Sequence, residues 1–284
     1  MIALTGATGQ LGRLAIANIL STTPASQVVA AVRQPAKAAD LAMRGVQVRR
    51  ADYNDPAALA QALTGVERLL LISSSEVGQR TAQHRNVVEA AQRQHVKLIV
   101  YTSLLRADTS PLNLAGEHRE TEALIKASGI PYAILRNGWY AENHTGSIPV
   151  ALAQGAVYGS AGEGRIAWAT RADYAEAAAR VVTAPIGASR TYELAGDTAH
   201  TLTEFAAELS RQSGKAIPYR DIPAAAYTEA LRKAGLPEWL ASGVASWDAE
   251  AARGALFDES RQLSRLIGRP TTSLVAAIQA GLKK

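Results

Sequence analysis

The chain has 284 residues, 48% hydrophobic and 19% charged, enough for one large domain or somewhat more. No run approaches the ~18 consecutive apolar residues of a membrane helix. There is no cysteine, which excludes disulfides, thiolate nucleophiles and cysteine-ligated metals and fits a cytoplasmic protein; the net charge of +5 comes from scattered lysines and arginines, with no basic run interleaved with aromatics to suggest a nucleic-acid partner.

Ile2-Ala3-Leu4 is a short apolar run that reads as a core strand rather than a signal peptide. It leads into Thr5-Gly6-Ala7-Thr8-Gly9-Gln10-Leu11-Gly12, after which Leu11, Leu14, Ala15 and Ile19 recur at helical spacing. A strand, a glycine turn and a helix in that order form the opening of a dinucleotide-binding βαβ unit. Gly6 would permit the tight turn, Gly9 would let the backbone approach a pyrophosphate, and Gly12 would let the helix lie close to the sheet. The helix N-terminus would aim unpaired N–H groups at the phosphates. The spacing is G-x-x-G-x-x-G, not the commonest G-x-G-x-x-G, and a merely structural glycine turn is the competing reading.

Val28-Val29-Ala30-Ala31-Val32 reads as the second strand, with Arg33 at its end and Lys37 a few residues on. An NAD site would carry a carboxylate there for the ribose 2′-hydroxyl. A guanidinium would instead hold a 2′-phosphate, so NADPH is expected over NADH, the alternative being a surface arginine. Val46-Gln47-Val48 is a short third strand; Asp55 caps a helix that opens at Pro56 and runs through Leu63. Leu69-Leu70-Leu71-Ile72 is the fourth strand, followed by a helix over 79–94. Leu98-Ile99-Val100-Tyr101 is the fifth, followed by a helix over 114–128 that stops at Gly129 and Pro131; Tyr132-Ala133-Ile134-Leu135 is the sixth. Apolar strands alternating with helices predict an α/β fold, a Rossmann-type doubly wound parallel sheet covered on both faces.

Beyond Arg136 the pattern changes. Short isolated strands are expected at Val157-Tyr158 and Tyr192-Glu193-Leu194. Helices are expected over 172–182, 202–213, 224–234, 236–252, 260–267 and 274–280, with Thr201 and Glu204 forming a capping box for the second. The expected division is an NADP-binding domain over 1–136 and a smaller, mostly helical substrate lobe over 137–284, leaving room for some of its segments to return to the sheet. That lobe would fold against the sheet's carboxyl edge and form the other wall of the ligand crevice.

The tyrosine–lysine pair of short-chain dehydrogenases is missing. Tyr101, Tyr132 and Tyr140 are followed four residues later by Leu105, Arg136 and His144. No histidine cluster has metal spacing, so no metal is expected, and no G-x-S-x-G nucleophile turn occurs. The chemistry therefore calls for an acceptor that takes hydride without an enzymic acid. Quinones are electrophilic enough, and a general acid contributes only about 10²–10⁴-fold. The enzyme's work would be proximity and orientation.

Long strings carry a resemblance. They are Met1 to Gly12, Leu69-Leu70-Leu71-Ile72-Ser73-Ser74-Ser75-Glu76-Val77-Gly78-Gln79-Arg80, Ala82-Gln83-His84-Arg85-Asn86-Val87, Tyr101-Thr102-Ser103-Leu104-Leu105, Ala107 to Leu112, Leu135-Arg136-Asn137-Gly138-Trp139-Tyr140, Thr170-Arg171-Ala172-Asp173-Tyr174 and Leu266 to Thr272. Together they resemble, over the whole chain, the bacterial NADPH-dependent type 2 quinone oxidoreductases. These belong to the NmrA-like branch of the atypical short-chain dehydrogenases, with triphenylmethane reductase a close relative. The resemblance implies hydride transfer from NADPH to a quinone. Gly6, Ala7, Thr8, Gly9, Gln10, Leu11 and Gly12 would wrap the pyrophosphate, and Arg33 would meet the 2′-phosphate. Ser73, Ser74 and Ser75 would line the adenine-ribose and nicotinamide side. Asn137, Gly138, Trp139, Tyr140, Ala141 and Glu142 would pack on the nicotinamide, and Arg171 would reach in from the second lobe. Trp139 and Tyr140 would stack on a flat acceptor or serve as core residues. His118 would orient the nicotinamide ribose or donate a proton, against the plainer reading of a packed helix histidine. Two alternatives remain at this point: reduction of another electrophilic aromatic such as a triphenylmethane dye, and an NADP-binding sensor without turnover. A monomer or a homodimer would serve any of these.

Overall fold

The structure is a computed structural model and describes residues 1–283. In chain order the elements are β1 (Ile2–Thr5), α1 (Gln10–Ile19), β2 (Val28–Val32), α2 (Ala39–Met43), β3 (Gln47–Arg50), α3 (Pro56–Ala62), β4 (Arg68–Leu71), α4 (Arg80–Arg93), β5 (Leu98–Leu104), α5 (Ala115–Ala127) and β6 (Tyr132–Asn137). There follow α6 (Glu142–Thr145), α7 (Ile148–Gln154), β7 (Val157–Gly159), α8 (Arg171–Thr183), β8 (Arg190–Leu194), α9 (Leu202–Ser213) and β9 (Tyr219–Asp221). The last four are α10 (Ala224–Lys233), α11 (Glu238–Ala251), α12 (Gln262–Ile267) and α13 (Leu274–Leu282). The chain divides into two compact units. The first is Met1–Asp108, Leu114–Asn137 and Arg171–Leu194; the second is Thr109–Asn113, Gly138–Thr170 and the chain from Ala195 onward.

The first unit is a parallel sheet in the order β3-β2-β1-β4-β5-β6-β8. β1, β2 and β5 are buried along their whole length, which is why their sequences carry no polar alternation. On one face Ala3, Val29, Leu69, Leu71, Ile99 and Ile134 pack with Leu59 of α3 and Val87, Val88 and Ala91 of α4. Each such leucine, isoleucine or valine contributes about 1.5–3 kcal/mol on burial. α1 and α8 pack against each other. The buried residues of the two helices include Ala15, Ile16 and Ile19 on α1 and Ala175, Ala178 and Val182 on α8. The strand order reverses between β1 and β4, so the carboxyl ends of these two strands bound the switch point where ligands bind in open α/β sheets.

Residues 171–194 fall in the first unit. Tyr192-Glu193-Leu194 is no isolated strand. It lies in β8, which pairs in parallel with β6, with Leu135 opposite Tyr192 and Asn137 opposite Leu194. α8, which precedes it, belongs to the first unit as well. β8 lies at the edge of the sheet, and its first residues are exposed, so no continuous apolar run marks it in the sequence.

The second unit holds a small parallel pair, β7 with β9, and the helices α6, α7 and α9 to α13. Its interior includes buried Trp168, 5.9 Å from the Phe205 ring and 5.1 Å from the His144 ring. Thr201 and Glu204 form the expected capping box at the start of α9. All four tryptophans of the chain (Trp139, Trp168, Trp239 and Trp247) belong to this unit.

Candidate functional site

Backbone geometry builds the centre of the first unit's site. Gly6 has φ +61°, a left-handed conformation that glycine adopts without penalty, and it turns the chain out of β1. The Gly9 N–H donates to Gly6 O at 3.0 Å and closes the turn. Gly9 is the N-cap of α1 and brings no side-chain cap, and the first turn of α1 carries no acidic residue. The first N–H groups and the positive end of the helix dipole are therefore left for an anionic ligand. Gly12 has a different reason from the expected one. A Cβ there would sit 2.3 Å from Gly6 O and 2.8 Å from Ala7 Cα, so Gly12 lets the helix close on its own turn rather than on the sheet. Ala7 and Leu11 are buried beneath the turn, while Gly9 and Gln10 are exposed.

Arg13 was not singled out in the sequence, yet it holds this turn in place. Its Nε donates to Thr8 O at 3.3 Å, its Nη2 donates to Lys37 O at 2.8 Å, and its Nη1 pairs with the Asp40 carboxylate. The glycine turn is thus tied to the segment that follows β2. Arg33 begins that segment, with its side chain 60% exposed. Its Nη1 meets Glu76 Oε1 at 2.8 Å.

Glu76 belongs to the 72–79 loop that leaves β4. The Ser73 N–H donates to Thr102 Oγ1 at 2.9 Å, and the Ser74 N–H donates to His84 Nε2 at 2.9 Å. Ser74 is buried, its carbonyl takes Arg80 Nε at 2.8 Å, and its hydroxyl accepts the Glu76 N–H at 3.2 Å. Ser75 is exposed. Of the three serines, Ser74 holds the loop together, Ser75 is open to solvent and Ser73 lies half-buried between them. Glu117 Oε1 secures the loop's far end, accepting the Gly78 and Arg80 N–H groups at 3.1 and 3.0 Å.

A chain of rings lies below the loop. The Tyr53, His84, Tyr101 and His118 centroids follow one another at 6.0, 5.5 and 5.9 Å. Because His84 Nε2 accepts a backbone N–H, its own proton is on Nδ1, facing Thr121 Oγ1 at 2.9 Å. Burial, reinforced by Arg80, pulls His84 and His118 down to about 3. His118, expected to orient the nicotinamide ribose or to donate a proton, lies on α5. The ring is 6% exposed, it is neutral at physiological pH, and its Nδ1 meets the Tyr101 hydroxyl at 2.7 Å. Burial also raises the Tyr101 phenol well above its ordinary value.

At the end of β6, Asn137 is buried and its carbonyl accepts the Leu105 N–H at 2.9 Å. Within the second unit, Gly138 is buried, and Trp139 and Tyr140 are half-buried. The Ala141 N–H donates to Ala169 O at 2.8 Å, fixing Tyr140 opposite Ala169; Glu142 opens α6. The Trp139 ring lies edge-on to Trp247 of α11 at 5.6 Å, and the Trp247 indole N–H donates to Asn113 Oδ1 at 2.8 Å. Arg171 does not belong to the second lobe, since it is the first residue of α8 in the first unit. Among the described residues, no group of three His, Cys, Asp or Glu is placed to hold a metal, and no helix is long and apolar enough to cross a membrane.

The NAD(P)H-binding family signature matches residues 6–185, from the glycine turn into the loop before β8. The chain belongs to the NAD(P)H-binding family. Within that family it is 58% identical over 278 residues to quinone oxidoreductase 2 of Escherichia coli, covering 98% of this chain and 97% of that protein. The crystal structure of an NADPH-dependent quinone oxidoreductase from Escherichia coli complexed with NADPH superimposes with a TM-score of 0.97, at 57% identity and full coverage of both chains. Triphenylmethane reductase from Citrobacter sp., solved with NADP(H), gives a TM-score of 0.95 at 38% identity, covering 99% of this chain and 100% of that one. The seven-stranded fold and the NmrA-like quinone reductase resemblance carried by the sequence strings agree with these likenesses.

Proposed function

We propose that this member of the NAD(P)H-binding family is an NADPH-dependent quinone reductase. The observation that carries the reading is the 58% identity, along nearly all of both chains, to a protein named quinone oxidoreductase 2. The uncapped, acid-free start of α1 and the close approach of Gly9 and Gly12 to Gly6 O fit a pyrophosphate held by backbone N–H groups. When bound, NADPH supplies a hydride that, with one proton from water, converts a quinone to its hydroquinone.

The residues divide the remaining work. Gly6, Ala7, Thr8, Gly9, Gln10, Leu11 and Gly12 hold the pyrophosphate, and Arg33 at the end of β2 holds the 2′-phosphate. Ser73 and Ser75 line the ribose side of a loop that Ser74 braces. Asn137, Gly138, Trp139, Tyr140, Ala141 and Glu142 pack on the nicotinamide, Trp139 and Tyr140 offering aromatic faces to the acceptor, and Arg171 adds a cation. His118 orients the nicotinamide ribose, and because the hydroquinone anion takes its proton from water no side chain is needed to supply it. The reading extends to a cytoplasmic monomer or homodimer without a nucleic-acid partner, supported by the absence of cysteine and the scattered basic residues.

The test is NADPH oxidation with a benzoquinone or naphthoquinone, NADH in parallel, and subtraction of the uncatalysed rate. Quinone-dependent turnover preferring NADPH is the expected outcome. Tight NADPH binding without turnover overturns the enzyme in favour of a sensor, and turnover confined to a triphenylmethane dye overturns the acceptor.

A further inference from the structure

Glu76 is placed to compete for the cation that a 2′-phosphate needs. Its Oε1 is 2.8 Å from Arg33 Nη1, and its Oε2 accepts the Gln83 Nε2 hydrogen at 2.7 Å. Its own N–H is held by Ser74 Oγ at 3.2 Å, and Glu117 pins the loop two residues further on at Gly78. The carboxylate is therefore braced by α4 and by its own loop, and it keeps its place when Arg33 turns away. The two side chains are 60% and 41% exposed, so the pair is solvated and weak enough for a dianion to open. Opening it leaves an anchored carboxylate beside the incoming phosphate, which opposes binding a second time.

We infer that Glu76 is a specificity-determining residue. It occupies the Arg33 guanidinium when no 2′-phosphate is present and so limits how far the chain favours NADPH over NADH. The inference rests on the reading of Arg33 as the 2′-phosphate contact. Nothing in it concerns the acceptor or hydride transfer, so binding alone tests it.

Isothermal titration of 2′,5′-ADP against 5′-AMP isolates the phosphate and needs no turnover. Glu76→Gln keeps the bond from Gln83 and removes the charge. An exposed pair is worth up to about 1 kcal/mol, a factor of about five. The expected result is about three- to fivefold tighter binding of 2′,5′-ADP with 5′-AMP unchanged. Unchanged or weaker binding of 2′,5′-ADP overturns the inference, the latter meaning that Glu76 aims Arg33 at the phosphate. Arg33→Ala separates the two readings. If it leaves the 2′,5′-ADP to 5′-AMP ratio unchanged, the assignment of Arg33 fails. If it collapses the ratio while Glu76→Gln does nothing, only the competition fails.

Discussion

At the scale of single residues, the turn tolerates no side chain where α1 folds back on it. Gly12→Ala places a methyl group 2.3 Å from Gly6 O, so the turn or the first residues of α1 must shift. The expected cost is about 2–3 kcal/mol, typical of forcing atoms into a filled space, with a parallel loss of NADPH affinity. Urea unfolding and a cofactor titration of the same variant check both; wild-type values in each would remove Gly12 from the turn's architecture. Gly6, Gly9 and Arg33 were legible in the sequence because each sits next to a strand end whose apolar run is unmistakable. Arg13 and Glu76 were not, because their partners lie 24 to 43 residues away and come together only when β1, β2 and β4 align. His118 was legible as a polar residue on the right helix. Its lowered pKa follows from burial, with Arg80 nearby, which spacing does not reveal.

At the scale of elements, Arg136 joins three of them. From β6 it reaches Glu122 of α5 at 2.8 Å, Glu193 of β8 at 2.8 Å and Asp108 at 3.0 Å. Glu122 is 3% exposed at its side chain. Burial alone would raise its carboxyl, but Arg136 and Ser103 overcome that and hold it below the ordinary range. Arg136→Met leaves the buried Glu122 carboxylate with only the partly exposed Lys126 at 3.5 Å and is expected to cost about 3–5 kcal/mol. The midpoint of chemical unfolding measures it, and a loss below about 1 kcal/mol would show that the network relaxes without its centre. The same contacts explain why the strand expected at Tyr192-Glu193-Leu194 could not be placed in the sheet from the sequence. Its place in the sheet is secured by ladder pairing to β6 and by Glu193 accepting from Arg136 and from the Arg106 N–H, not by an apolar run. The five interior strands were readable because two covered faces impose continuous hydrophobicity.

At the scale of the whole molecule, three buried histidines set the response to acid. Burial lowers His84 and His118 to about 3 and His144 to about 4, whereas the unfolded chain titrates near about 6.5. Between those limits the unfolded state binds more protons, so stability that is complete above about pH 6.5 is lost as the pH falls. Asp248 works the other way. Burial, with Asp221 nearby, raises it to about 6 while its carboxylate accepts the Ser160 N–H at 3.1 Å. Its contribution is complete below the unfolded pKa and is lost as the pH rises through about 6. Around pH 5 the net uptake on unfolding is about two protons, so stability should fall by about 2–3 kcal/mol per pH unit. Unfolding curves at pH 7, 6 and 5 check this, and a flat profile would mean that the histidines are not neutral in the fold. Asp248→Asn keeps an acceptor for Ser160 and should stabilise the protein by about 1–3 kcal/mol at pH 7.5, with the gain vanishing near pH 3.5.

The placement of the tryptophans turns the molecule into its own spectroscopic reporter. All four lie in the second unit, with Trp168 buried against Phe205, Trp139 half-buried beside Trp247, and Trp239 58% exposed. Indole emission therefore follows the melting of the second unit alone, while far-ultraviolet circular dichroism follows the helices and strands of both. Coincident curves would make the chain one cooperative folding body. An emission transition displaced from the dichroism transition would resolve two bodies that unfold at different denaturant concentrations, without a label or a mutation.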